Sequence, residues 1–172
     1  PLRSYGLRFV LQADWVVPSS RESVDASSAW NQMLRDETPH LFLTAAEQLL
    51  SRASADADAT ERVNLSSLLF ALVPLHTTEF FAPLADECCR LLRSCNCVPT
   101  REGAMCSPRE AVVPVGADDD TAFDEQIART TDTLIQSVGL HYAASGLRIS
   151  DQLGASLGLR RLDASLLTAL LA

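Results

Sequence analysis

The stretch Tyr5–Val17 (YGLRFVLQADWVV) decides the predicted fold class. Every odd-numbered residue from Tyr5 to Val17 is apolar, whereas Arg8, Gln12 and Asp14 occupy alternate positions. Such period-two alternation, in a run rich in aromatic and branched residues, is typical of a half-buried strand. Pro18 follows the run, and proline cannot continue a central strand. The sequence therefore predicts a long amino-terminal strand that ends at Pro18.

Most of the remaining chain has the pattern of helices. Thr38 and Pro39 together predict a helix start, because a capping hydroxyl is followed by proline at the first helical position. The predicted helices cover roughly residues 39–53, 61–73, 77–93, 121–138, 150–157 and the stretch after Asp163. A small β-hairpin is predicted within residues 96–106, with its turn at Gly103. The expected fold class is α+β, helix-rich, with a long amino-terminal strand and a small β-hairpin.

The run of residues 116–120 (GADDD) is predicted to be an acidic linker. It would divide a strand-plus-helix segment, residues 1–115, from a helical segment, residues 121–172. The chain begins with Pro1 and ends within the apolar run Ser165–Ala172. We therefore expect it to be part of a longer polypeptide, truncated in its second segment.

Composition and charge exclude several functional classes. The 172 residues include 22 acidic and 14 basic ones, so the formal net charge is −8. Nucleic acids and anionic membranes attract basic surfaces, so neither is expected as a partner. All 14 basic residues are arginine, which excludes a phosphate-binding lysine and Schiff-base chemistry. The expected location is intracellular, either cytoplasmic or nuclear.

The five cysteines do not predict a disulfide framework or a metal site. They are Cys88, Cys89, Cys95, Cys97 and Cys106. Their odd number argues against complete pairing, and the C-x-C spacing of Cys95 and Cys97 differs from the usual zinc-ligand spacing. We expect reduced, metal-free thiols. A metalloenzyme that uses these cysteines is a third functional hypothesis.

The sequence contains no complete active-site motif. The hypothesis that the chain supports an enzymatic reaction therefore depends on one short group of residues. Residues 18–22 (PSSRE) follow the predicted strand, and Ser19 and Glu22 have the spacing of a capping box that starts a short helix. Arg21 is suited to bind a phosphate bidentately. The structural alternative is that Arg21 pairs with Glu22, Asp25 or another acid and forms an ordinary strand-to-helix corner.

Leu2–Gln32 closely resembles a block in the sacsin/NO VEIN-like family of large proteins. Weaker similarity continues at Cys97–Gly103 and at Ser150–Leu153 with Leu157–Leu159. In that family, such a segment follows a heat-shock-chaperone-like ATPase module of the GHKL type. Asp14–Glu22 also looks like the middle-domain segment of the ninety-kilodalton heat-shock chaperones, although it differs at Pro18 and Ser19.

The resemblance implies a role for Arg21, because the chaperones' arginine at this corner reaches the nucleotide of the preceding domain. Arg21 would contact phosphate together with an upstream domain, and Ser20 and Glu22 would be its immediate neighbours in the site. The chain itself would hold no cofactor and no metal, while ATP and magnesium would belong to the upstream domain.

The function that the resemblance implies is a non-catalytic coupling segment downstream of a GHKL-type ATPase domain, with a chaperone-like or protein-assembly role. Its partners would be the upstream ATPase domain and protein clients. The alternative is a pure protein-interaction or scaffold domain that makes no nucleotide contact.

Overall fold

The computed structural model describes residues 3–52, 58–114 and 131–171. Its α-helices are α1 (Ala29–Ser51), α2 (Ala59–Leu72), α3 (Leu84–Leu92), α4 (residues 131–137), α5 (Asp151–Leu157) and α6 (Ala164–Leu171). Its strands are β1 (Val98–Pro99), β2 (Met105–Cys106), β3 (Ala111–Pro114), β4 (His141–Tyr142) and β5 (Arg160–Leu162), and 3₁₀ turns span Glu79–Phe81 and Pro108–Glu110. The predicted α+β class is confirmed.

The predicted long amino-terminal strand is wrong. Within the described residues, no strand precedes Val98. The alternation is nevertheless visible in burial, since the odd-numbered residues 5–17 are buried or half-buried and the even-numbered ones from Arg8 to Val16 are exposed. A strand needs a neighbouring strand for its backbone hydrogen bonds, and here the segment lies on helices instead.

The apolar side of this amino-terminal segment packs against residues of the same chain. Tyr5 lies edge-on to Phe81, with ring centroids 4.9 Å apart. Trp15 also meets Phe81 edge-on, at 5.5 Å. The segment therefore closes an aromatic core cluster, whose buried members are Tyr5, Val24, Phe80, Phe81 and Leu84.

Helix α1 begins earlier than predicted, at Ala29 rather than at Pro39. The Ser28 hydroxyl caps it by accepting a hydrogen bond from the Asn31 N–H. Pro39 lies inside the helix, where it removes one backbone donor. The Thr38 hydroxyl donates to the Leu34 carbonyl at 2.8 Å, so it bonds backward within the helix instead of capping a new one.

Several short elements agree with the sequence prediction. In the hairpin, Val98 pairs with Cys106 and the turn residue Gly103 has a φ of +84°. The 3₁₀ turn that follows the hairpin, Pro108–Glu110, has a capping box in which the Ser107 N–H donates to the Glu110 carboxylate at 3.0 Å. The helix predicted for residues 77–93, by contrast, is split, because Pro83 separates the 3₁₀ turn Glu79–Phe81 from α3.

A three-stranded parallel sheet was not predicted. Its order is β4–β3–β5, so β3 pairs with strands that follow residue 131. Residues 116–120, the predicted linker, lie outside the described residues, and the division of the chain there stays a prediction. No helix in the described ranges is long and apolar enough to cross a membrane.

Candidate functional site

The candidate site is the loop of residues 17–24, whose base is closed by Asn31. The Asn31 side chain is fully buried. Its Oδ1 accepts from the Val16 N–H at 2.9 Å, and its Nδ2 donates to the Val16 carbonyl at 2.7 Å. The same Nδ2 donates to the Asp25 carbonyl at 2.9 Å. One helical side chain therefore holds both ends of the loop.

Two further contacts fix this loop. The Asp25 N–H donates to the Val16 carbonyl at 3.0 Å, directly across the base. The Val24 N–H donates to the Tyr5 hydroxyl at 3.0 Å, so the returning end is tied to the aromatic cluster. The loop is thus anchored at Val16, Val24 and Asp25, and residues 18–22 project from that base.

Arg21 lies at an exposed turn of the loop. Its N–H donates to the Pro18 carbonyl at 2.9 Å, which closes a tight turn. Its φ is +55°, in the left-handed region that non-glycine residues rarely adopt. Ser20 and Glu22 flank it and are also exposed. The three predicted site residues therefore share one exposed surface.

The Arg21 guanidinium has no ion-pair partner among the residues that the structure describes. Asp25, one acid proposed to pair with it, instead accepts from the Ser27 hydroxyl at 2.6 Å and from the Ser27 N–H at 2.9 Å. These hydrogen bonds lower the pKa of Asp25. The structural alternative of an Arg21 ion pair within this corner therefore finds no support in the described residues.

The short helix predicted from Ser19 and Glu22 is wrong. Residues 19–23 form turns and bends, and the next helix is α1, which starts at Ala29. The Asn31 clamp and the hydrogen bond from the Asp25 N–H to the Val16 carbonyl instead close residues 17–24 into a loop. A helix N-terminus therefore contributes nothing to anion binding at Arg21, and only the guanidinium remains as the cationic group.

Asn31 is a positioning residue that the sequence analysis missed. It lies in the first turn of α1, on the same side as the buried Thr38. A polar residue on the inward face of a helix is the signal that could have identified it, because a buried amide needs hydrogen-bond partners. Without the correct helix start, however, the inward face of α1 could not be assigned.

The cysteines are all free, and four of the five are buried. Burial raises the pKa of the Cys88 and Cys106 thiols to about 12. Cys95 is half-buried, and its hydrogen bond with the Cys97 thiol lowers the pKa of Cys95 and raises that of Cys97. In the described ranges, no three His, Cys, Asp or Glu side chains are grouped so as to hold a metal ion.

The chain is similar to Protein NO VEIN from Arabidopsis thaliana. The two are 40% identical over 100 residues, which is 57% of this chain and 4% of that protein. The chain therefore spans only a small part of the length of this relative. No family model matches the sequence, and no solved structure matches it. The comparison supports a NO VEIN-like relationship.

Proposed function

We propose that this chain is the coupling segment that follows a GHKL-type ATPase module in a NO VEIN-like protein. In this proposal, Arg21 senses the nucleotide phosphate held by that module and passes the nucleotide state to the rest of the polypeptide. The similarity to Protein NO VEIN supports the relationship. The exposed, anchored position of Arg21 is the observation that carries the proposed role.

The geometry of the loop favours a guanidinium that acts on another molecule or domain. An arginine used for internal stability would be expected to bind a nearby carboxylate, yet the Arg21 side chain has no ion pair in the described residues. Its left-handed backbone costs of order 1–2 kcal/mol, and such strain clusters at functional sites. The Asn31 clamp supplies the rigid base that a phosphate-contacting arginine needs.

The chemistry proposed for Arg21 is electrostatic. A guanidinium fork matches two phosphate oxygens, and a preorganised cation stabilises negative charge that develops during phosphoryl transfer. Ser20 and Glu22 would border the contact. ATP and magnesium would be bound by the upstream module, so this chain would supply the sensing cation and no complete active site. Protein clients and a chaperone-like or protein-assembly role belong to the same proposal.

The test uses a polypeptide that contains both the ATPase module and this chain. Arg21→Ala should lower ATP turnover about tenfold or more, equivalent to roughly 1.4 kcal/mol in the barrier, and leave nucleotide affinity unchanged. Arg21→Lys should restore little, because an ammonium is a point charge. Unchanged turnover in both variants would refute the coupling role.

The matched control is Arg160→Ala. Arg160 is exposed and, like Arg21, has no ion pair in the described part of the chain. Arg35, the next arginine along the sequence, is unsuitable as a control. Its guanidinium lies 4.9 Å from the centroid of the Phe80 ring and forms a salt bridge with Asp36. Its replacement would disturb the aromatic cluster beneath the loop.

The second candidate function is a protein-interaction or scaffold domain without nucleotide contact. The observation that favours it is an exposed apolar surface on α1. Trp30, Met33 and Leu41 are 49%, 45% and 60% exposed. If Arg21→Ala is silent while substitution of Leu41 abolishes assembly with a client, this candidate replaces the coupling role.

A further inference from the structure

A cleft on a different part of the surface has the features of an anion-binding site. It has a volume of about 660 Å³ and lies between the amino-terminal segment, α2 and the loop before α5. Its lining includes Arg8, Ser67, Leu68, Arg148 and Ser150. Small-molecule sites commonly have volumes of about 300–1,000 Å³, so this cleft is large enough to hold such a ligand.

The charge of the lining is opposite to that of the whole chain. The chain has 22 acidic residues and a net charge of −8. The charged residues that line the cleft are nevertheless both arginines, Arg8 and Arg148, and its lining contains no carboxylate. Arg148 has no ion pair in the described ranges, so its guanidinium is not neutralised by a neighbouring acid there.

Each polar side chain that lines the cleft, from Arg8, Asn64, Ser67, Arg148 and Ser150, can donate a hydrogen bond. The Ser67 hydroxyl oxygen already accepts from the backbone N–H of Arg148 at 3.0 Å, and the Ser150 hydroxyl oxygen accepts from the backbone N–H of Leu153 at 3.3 Å. Each hydroxyl can still donate its proton. Arg8 uses Nη1 to bind the Ala71 carbonyl at 3.2 Å, which leaves most of its N–H groups available.

The lining also has an apolar part, formed by Leu68, Phe70, Ala71, Leu147 and Ile149. Leu68 is 48% exposed, so its side chain is accessible to a bound molecule. A ligand that matched both parts would carry a compact, multiply charged anion and an apolar body. Phosphate suits two arginine forks better than a single carboxylate does, because it offers more oxygens and more charge.

We propose that this cleft binds a small phosphate monoester with an apolar or aromatic body. Arg8 and Arg148, which belong to different segments of the lining, would bind the phosphate, and the hydroxyls of Ser67 and Ser150 would donate to its oxygens. The apolar part of the lining would contact the body of the ligand. This site does not depend on the role of Arg21, and its lining shares no residue with the 17–24 loop.

The experiment is a titration of the 172-residue chain, followed by amide chemical shifts, with phenyl phosphate, inorganic phosphate and benzoate as separate probes. Phenyl phosphate should bind saturably at millimolar concentrations and shift the amides of Ser67 and Arg148. Inorganic phosphate should bind more weakly because it lacks the apolar body. Benzoate should bind more weakly because it carries only one negative charge.

Arg148→Gln should weaken phenyl phosphate binding about tenfold, in line with the loss of a charged hydrogen bond. This variant should fold normally, because the exposed Arg148 guanidinium makes no ion pair within the described residues. Arg160→Gln, the matched exposed control, should bind as the parent chain does. Equal affinity in the parent and Arg148→Gln would overturn the proposal, as would benzoate binding as tightly as phenyl phosphate or an absence of saturable binding.

Discussion

The side chain of Asn31 binds both backbone polar groups of Val16, at 2.9 Å and 2.7 Å. It thereby takes the place of a neighbouring strand at one residue of the amino-terminal segment. The same amide holds the Asp25 carbonyl, so one fully buried side chain closes the loop that presents Arg21. Helix α1, through Asn31, therefore helps to hold in place the loop that carries Arg21.

Asn31→Ala should destabilise the chain by about 1–3 kcal/mol, because it leaves the Val16 N–H without its partner and removes one of the two hydrogen bonds to each of the Val16 and Asp25 carbonyls. Urea unfolding measures the loss. Gln32→Ala is the matched control, because the Gln32 side chain is exposed and makes a single hydrogen bond to the Ala26 carbonyl. A loss as small as that of the control would show that the clamp contributes little to stability.

Gly6→Ala should be among the most damaging single substitutions. Gly6 has a φ of +83°, and a Cβ built there would lie 1.9 Å from the His76 carbonyl oxygen. The backbone of the amino-terminal segment must therefore move away from residues 76–78, where the Thr78 N–H donates to the Tyr5 carbonyl. The expected loss is about 3 kcal/mol or more, measured by urea unfolding.

The control for this substitution is Gly139→Ala. Gly139 has a similar φ of +72°, but nothing lies within 4 Å of its Cβ position. Its loss should be only the conformational cost of about 1–2 kcal/mol. Similar losses in the two variants would mean that the close approach to His76 is readily relieved.

Arg21→Gly should leave stability unchanged within about 1 kcal/mol. Glycine removes the cost of the left-handed conformation, while its greater freedom in the unfolded chain offsets that gain. Arg21→Ala should also unfold close to the parent, because the exposed guanidinium has no ion pair in the described residues. A loss well above 1 kcal/mol in both variants would assign Arg21 a structural role.

Cys95 should be the first cysteine alkylated by iodoacetamide in the folded chain. Its lowered pKa means that the reactive thiolate forms at a lower pH than for an ordinary thiol, so its rate rises earlier as pH increases. Burial holds the pKa of Cys88 and Cys106 at about 12, so these thiols stay protonated. Peptide mass spectrometry identifies the labelled site.

Cys95→Ser is the control for this labelling and should remove the fast phase. Intact mass measurement before labelling should show five reduced thiols and no bound zinc. Rapid labelling of a buried cysteine in the native chain, or a stoichiometric zinc adduct, would contradict the predicted state of the cysteines.

Short-range chemistry in the sequence determined the local elements that the structure confirms. Ser150 and Gly158 bound α5, and Ser107 with Glu110 forms the capping box, because caps involve residues within a few positions of each other. Gly103 likewise marks the hairpin turn. The period-two pattern of residues 5–17 correctly identified which side chains face inward, since that pattern reflects burial.

Long-range contacts decided the rest. The same period-two pattern carries no information about hydrogen-bond partners, so whether residues 5–17 formed a strand depended on Asn31, Thr78 and the aromatic cluster. Packing also allows α1 to continue through Pro39, which the sequence predicted as a helix start. The parallel sheet was not predicted because β4 and β5 are too short to show any periodicity. The sequence by itself determined which side chains of residues 5–17 face inward, and it determined the hairpin turn and the bounds of α5. Only the tertiary structure decided the clamp at Asn31 and the exposure of Arg21, because both depend on contacts between residues distant in the chain.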